Sequence, residues 1–249
     1  AGCGTTDSAP PKETASQVPD VTEQLIQMQT EPIPTEAAPT EYTDHIQAPS
    51  ESTENTASGL TVHYIDVGQA DCTLLECDGE YMLIDGGNPE DGSLVVSYLR
   101  EEGVEELEYL ICTHAHEDHV GGLPAVLAVY PTEAAYAATT TYDTKCYNDF
   151  LYYADQQRLT VQIPKTGDRL MLGEASITVL GPVKRYANTN DTSLVLMVQF
   201  GENRFLFTGD GVLTYRQKIA EKLGERARFA SAQCSYLRPA AVACAAAAH

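Results

Sequence analysis

Thr113 to Gly122 reads T-H-A-H-E-D-H-V-G-G and gathers three of the chain's six histidines around Asp118. A neutral imidazole is a common metal ligand, and carboxylate oxygens complete zinc sites. The spacing is the informative part. His114, His116 and His119 cannot share one helix face, because side chains two residues apart point away from each other. They can converge where a loop leaves a strand and enters a helix. The flanks supply both elements. Leu107 to Cys112 (L-E-Y-L-I-C) is an apolar, β-prone run. Gly121 and Gly122 permit a tight backbone and a close approach. Leu123 to Tyr130 has helical spacing and stops at Pro131. The metal-free alternative is an exposed polar loop that happens to be His-rich.

Upstream, Leu60 to Val67 alternates apolar and polar as a half-buried strand does. Gly68 to Asp71 reads as a turn, Cys72 to Cys77 as a second strand, and Asp78-Gly79-Glu80 as a hairpin turn before Tyr81 to Ile84. Val95 to Glu102 reads as a helix stopped by Gly103. Downstream, Ala134 to Ala138 is a short strand. Thr144 to Arg158 is an amphipathic helix with Cys146, Phe150 and Tyr153 on one side. Thr160 to Ile163, Arg169 to Leu172 and Ala175 to Leu180 read as strands. Ser193 to Phe200 and Arg204 to Thr208 form a hairpin, and Leu213 to Leu223 is a last helix. Two strand-rich groups with helices nearby predict an α/β domain of two face-packed sheets with helices outside.

The chain has 249 residues and a formal net charge of −21. Residues 1–59 carry ten acids against one Lys, and residues 60–249 carry 26 acids against 14 bases. So acidic a surface does not favour non-specific nucleic-acid binding, although bound metal ions reverse the local sign. Seven cysteines form no C-x-x-C pair, which argues against a structural zinc ribbon. No run of 18 apolar residues occurs, so no membrane span is expected. Ala1-Gly2-Cys3 resembles the last three positions of a bacterial lipoprotein signal, in which the Cys becomes lipid-modified, with a cytosolic protein carrying a floppy tail and an incidental Cys as the alternative. Gly4 to Ser58 is rich in Pro, Thr, Ser and Glu and predicts an extended tether. The apolar patch Val21 to Met28 has the makings of a short helix. These features predict an extracytoplasmic protein, lipid-anchored at the bacterial cell surface.

Three acids close apolar strands: Asp85 in I-D-G-G, Asp118 in H-E-D-H, and Asp210 in T-G-D-G. Sites of α/β folds gather at strand C-terminal ends, and a following Gly admits close approach. H-A-H-E-D-H resembles the H-x-H-x-D-H signature of metallo-β-lactamase fold hydrolases. Leu60 to Ala70 (L-T-V-H-Y-I-D-V-G-Q-A), Leu83 to Gly87, Asn190 to Leu196 and Phe207 to Asp210 resemble the hydrolase domain of competence-type ComEC/Rec2 proteins. The resemblance spans about residues 60–224. It implies a four-layer αββα sandwich and a site for two divalent metal ions. His114 and His116 would hold the first, Asp118 and His119 the second, and Asp210 would bridge them. Asp118 is also the expected catalytic carboxylate. Asp85 would orient ligands from behind. Zinc fits such N/O donors, and manganese also fits a carboxylate-rich set.

Two departures from that pattern stand out. The wider superfamily usually adds a His to the first metal before the bridging Asp, whereas this chain has none between His119 and His249. Asn190 or Asp191 lies in that region as a candidate lining residue. After Glu225 the remaining 24 residues hold no acid but ten Ala and three Arg. So abrupt a shift reads as a frame change or damaged terminus, with a real Ala-rich helix as the alternative. The expected organisation is therefore a tether over 1–59, a hydrolase domain over 60–225, incomplete at its C-terminus, and an aberrant tail over 226–249.

The implied activity is phosphodiester hydrolysis of single-stranded nucleic acid or nucleotides by a two-metal-activated water, in a monomer. The same centre would equally hydrolyse an ester, thioester or lactam. A non-catalytic extracytoplasmic metal-binding protein is the third reading.

Overall fold

The computed structural model describes residues 58–184, 186–211, 227–230 and 242–247, the last two as backbone strands. The tether up to residue 57, with Cys3 and Val21 to Met28, lies outside the described residues. So do the helix expected over Leu213 to Leu223 and His249.

The first three strands form where the alternation predicts them. β1 (Gly59–Tyr64), β2 (Thr73–Cys77) and β3 (Glu80–Ile84) run antiparallel. Asp78 and Gly79 both take positive φ, 56° and 84°, the two-residue hairpin turn whose twist suits the flanking strands. Helix α1 (Gly92–Glu101) buries Val95, Val96 and Leu99. It ends at Gly103, where the Val104 N–H reaches back to the Leu99 carbonyl at 3.0 Å. β4 (Leu107–Cys112) has the bounds its apolar run predicts and lies parallel to β3. Two short helices, α2 (Glu117–Val120) and α3 (Leu123–Val129), then cross to β5 (Thr132–Ala137), which pairs parallel with β4.

Helix α4 (Lys145–Gln156) is capped by Thr144, whose hydroxyl accepts from the Tyr147 N–H. Its buried stripe is Tyr147, Phe150 and Ala154, not Cys146, Phe150 and Tyr153; Cys146 and Tyr153 flank it half-buried. The stripe turns because Tyr147 stacks edge-on against both Tyr142 and Phe150 while its hydroxyl donates to the Thr139 carbonyl. The strand expected over Thr160 to Ile163 shrinks to one bridge, Gln162 to Tyr136. Pro164 follows and lacks the N–H that would extend the ladder.

The second sheet is built from β6 (Arg169–Leu172), β7 (Ala175–Gly181), β8 (Val195–Phe200) and β9 (Asn203–Phe207), all antiparallel. β8 starts two residues later than the sequence predicts, because the Leu194 N–H is spent on the Thr113 carbonyl at 2.9 Å. Two stretches of the Ala-rich tail are strands rather than helix. β10 (Ala227–Ala230) lies parallel to β9, and β11 (Val242–Ala247) lies antiparallel to β1. The sheet orders are β11-β1-β2-β3-β4-β5 and β10-β9-β8-β7-β6.

Side chains decide how these layers stack. Leu60, Val62, Leu75, Met82, Ile84 and Ile111 on the first sheet share one core with Ile177, Val179, Leu196, Val198, Phe205 and Phe207 on the second. The opposite face of the first sheet, with Leu74, Leu83, Leu110 and Cys112, is covered by α1, α3 and α4. Helices, sheet and sheet thus form three layers of the sandwich. The helix expected to begin the fourth is the one outside the described residues.

Candidate metal centre

β3 and β4 are parallel neighbours, so their C-terminal ends adjoin, the usual position for a site in such sheets. Asp85 follows β3 directly. Its N–H extends the ladder to the Ile111 carbonyl at 2.9 Å, and its φ of 57° turns the side chain under β4. A non-Gly residue there is strained, Asp less than most. Three hydrogen bonds offset the strain. Asp85 Oδ1 accepts the Thr113 N–H at 2.7 Å, and Oδ2 accepts the Thr113 hydroxyl at 2.6 Å and His119 Nδ1 at 2.8 Å. Asp85 is 1% exposed.

This one carboxylate sets two tautomers. An ionised carboxylate only accepts, so His119 keeps a proton on Nδ1, and Nε2 is the nitrogen that gives up its proton to a ligand. Thr113 spends its O–H on Asp85, so its Oγ1 accepts from His114 Nδ1 at 3.3 Å. That leaves His114 Nε2 bare, 3.1 Å from His116 Nδ1. His119 Nε2 lies 3.7 Å from Asp210 Oδ1 and 3.9 Å from Asp118 Oδ2. The rings of His114 and His119 stand 4.1 Å apart, and donor atoms of His114, His119 and Asp210 all lie within 4.8 Å of one another. The five residues the sequence nominated, His114, His116, Asp118, His119 and Asp210, are thus brought to one place. His114 and His116 sit in the loop, while Asp118 and His119 belong to α2, the strand-to-helix passage the spacing called for.

Close backbone packing holds that passage down. Gly86 donates its N–H to the His119 carbonyl at 2.7 Å, and Gly122 donates to the Gly87 carbonyl at 3.3 Å. A Cβ on Gly122 would stand 2.1 Å from the Gly86 oxygen. From the second sheet, Asp210 arrives on the turn after β9. Asn190 Nδ2 donates to Asp210 Oδ2 at 3.2 Å. Of the two candidates left open by the sequence, Asn190 makes this contact through its amide.

Asp71 is the residue the sequence passed over. It reads as part of a plain turn, yet it is 7% exposed and its Oδ2 lies 4.0 Å from His119 Nδ1. The missed signal was an acid abutting an apolar strand at its N-terminal end. β2 runs antiparallel to β3, with Thr73 opposite Ile84, so the start of β2 meets the end of β3.

The electrostatics follow from burial and these contacts. Burial, reinforced by His119 beside it, pushes His114 down to about 3, so its imidazole is neutral. Burial alone would lower His119 too. The charge and hydrogen bond of Asp85, with Asp71 and Asp210 adding to them, instead carry it up to about 9. Burial raises Asp71 to about 7 against the pull of His119, with Asp85, Asp210 and Asp118 adding to the rise. Four carboxylates around three imidazoles, with Nε2 of His114 bare and Nε2 of His119 turned to the same space, fit a divalent cation that displaces the His119 proton.

Residues 65–242 match the family model described as "Metallo-beta-lactamase superfamily". ComE operon protein 3 of Bacillus subtilis (strain 168) is 24% identical over 168 residues, 60% of this chain and 22% of that protein. Recombination protein 2 of Haemophilus influenzae is 30% identical over 172 residues, 66% of this chain and 20% of that protein. Lactamase-like protein nscB of Arthroderma otae is 31% identical over 133 residues, 53% of this chain and 32% of that protein. The chain therefore spans only about a fifth of the length of the first two relatives.

Proposed function

The chain belongs to the metallo-beta-lactamase superfamily of hydrolases, and from that premise we propose that it is a metal-dependent phosphodiesterase acting on nucleic acid or nucleotides. The observation that carries this reading is the pair of ring nitrogens, His114 Nε2 and His119 Nε2, aimed by Asp85 beside Asp118 and Asp210. In it, His114 and His116 would hold one divalent ion, Asp118 and His119 a second, and Asp210 would serve both, with zinc or manganese fitting the donors. When bound, such an ion pair supplies an activated water near neutral pH and positive charge for the oxygens of a displacement.

The chain's own groups have defined parts. Asp85 keeps the proton of His119 on Nδ1 and, through Thr113, that of His114 on Nδ1. Asn190 steadies Asp210 through Oδ2. The Asp118 side chain is 39% exposed, the most open of the site's acids, and its Oδ2 would take the proton of the attacking water. Relatives named for the ComE operon and for recombination support a nucleic-acid substrate.

One observation favours a second reading. A net charge of −21 repels polyanions, and a lactamase-like relative is among those matched. Hydrolysis of an ester, thioester or lactam on the same centre fits both. A substrate panel with added Mn²⁺ or Zn²⁺ separates the two. The leading reading expects turnover of single-stranded DNA or bis(p-nitrophenyl) phosphate, whereas turnover confined to acyl substrates moves the assignment to the second. Stoichiometric metal with no turnover of any substrate would leave a binding protein.

The placement outside the cytoplasm belongs to the same proposal, with Cys3 as lipid anchor, residues 1–59 as tether and 60–225 as the hydrolase domain of a monomer. Among the described residues no helix is long and apolar enough to cross a membrane. Palmitate labelling that Cys3→Ser abolishes is the expected result.

A further inference from the structure

Asp71 has a buried carboxylate that the proposed mechanism leaves without a task. Its backbone is pinned twice. The N–H donates to the Asp118 carbonyl at 3.1 Å, and the carbonyl accepts from Gly87 at 2.9 Å. Any residue type would make those bonds, so they do not explain an acid. Among the described residues no hydrogen bond to the carboxylate is formed, and His119 Nδ1 lies 4.0 Å from Oδ2. Burying a carboxylate without a donor is costly. Asp85 already receives three hydrogen bonds and holds the His119 proton. Asp71 therefore stands as a second acid behind the same imidazole, on the side away from Asp118 and Asp210.

We infer that Asp71 is a positioning residue for the metal centre, a second carboxylate that acts through His119 to strengthen Nε2 as a ligand. A second negative charge behind a ligating imidazole acts through space and makes the far nitrogen more basic. The benefit is mutual, since positive charge held at Nε2 stabilises the buried Asp71 carboxylate across the ring. The inference rests on the metal-centre reading above, though not on the substrate.

The test is zinc affinity of the full chain, read by competition with a chromophoric chelator, for the wild type, Asp71→Asn and Asp71→Ala. Asn keeps the shape and removes the charge. Both variants are expected to bind zinc about 10-fold more weakly or worse, the usual cost of losing such a partner. Wild-type affinity in Asp71→Asn, with or without a loss in Asp71→Ala, would make the side chain a space-filler and overturn the inference alone. Failure of the wild type to bind zinc would overturn the metal-centre reading and this inference with it. If Asp71→Asn does not fold without metal, it is refolded with zinc and challenged with graded chelator. Half-release at about 10-fold lower chelator than the wild type supports the inference, and coincident curves refute it.

Discussion

His119 Nδ1 lies 2.8 Å from Asp85 Oδ2, and both side chains are almost fully buried. Asp85 also accepts from both donors of Thr113, whose Oγ1 in turn takes the His114 proton. One buried acid thus presets two imidazoles on neighbouring elements. An amide at this position offers one acceptor oxygen where the carboxylate offers two, and turns an NH₂ toward a donor. Asp85→Asn should therefore weaken zinc binding by about 10- to 100-fold. In excess chelator it should also cost roughly 1.5–3 kcal/mol, the worth of a hydrogen bond to a charged group. Chelator competition and urea unfolding measure the two effects separately.

His119 and Asp71 give the metal-free protein a pH dependence. His119 is raised from 6.5 to about 9. Its contribution to stability is fully present below its unfolded value and is lost as pH rises through about 9. Asp71 is raised from 3.8 to about 7. The native state prefers it protonated, so its contribution is present below its unfolded value and fades as pH rises through about 7. The two signs agree. His114, pushed down to about 3, works the other way below 6.5, so the Tm of the chelator-treated protein should fall chiefly between about pH 6.5 and about pH 9. With saturating zinc the trend should reverse, because the ligands must lose their protons to bind. Scanning calorimetry across that range, with and without metal, decides it.

Most of this centre was legible in the residues because strand, loop and helix each carry a strong local signal. Leu107 to Cys112 is apolar enough to fix β4 at its observed bounds, Asp85 and Asp210, each followed by Gly, marked two strand ends, and Asp118 marked the His loop. Asp71 was not legible, because the Asp78-Gly79 turn encodes the β2–β3 hairpin but Asp71 lies beyond its last pair, Thr73 opposite Ile84, in a stretch that reads as a plain turn. The α4 stripe shifted for a similar reason. Tyr142 and Thr139, which draw Tyr147 inward, sit in the preceding loop, outside the periodicity that was read.

Gly122 tests how tightly the His loop is held against the Asp85 turn. A methyl group there would meet the Gly86 oxygen at 2.1 Å, a backbone atom that cannot swing aside. It would also pry apart the Gly86 to His119 hydrogen bond, which anchors α2. Gly122→Ala should cost about 1–3 kcal/mol or more, as overpacking does, and should lower zinc affinity along with stability. Gly79→Ala is the control. Its positive φ carries strain, but nothing lies within 4 Å of the new methyl, so stability should drop while zinc affinity holds.

Asp118 separates holding the metal from moving the proton. Its side chain is the most open acid of the site, and its Oδ2 stands 3.9 Å from His119 Nε2. An Asn there keeps an oxygen donor for the ion but cannot accept a proton. If Asp118 takes the proton from the attacking water, Asp118→Asn should lower kcat by roughly 100- to 10,000-fold. KM should change little, since the substrate's contacts are untouched. Metal content by elemental analysis is the needed companion. A variant that keeps its zinc and loses kcat places Asp118 in the chemistry. One that loses both confines its role to ligation, and the proton must then leave by solvent or by another group. His114→Ala supplies the contrast. His114 is buried and neutral, so its removal should empty the site and abolish turnover together, with no intermediate state in which metal remains and catalysis does not.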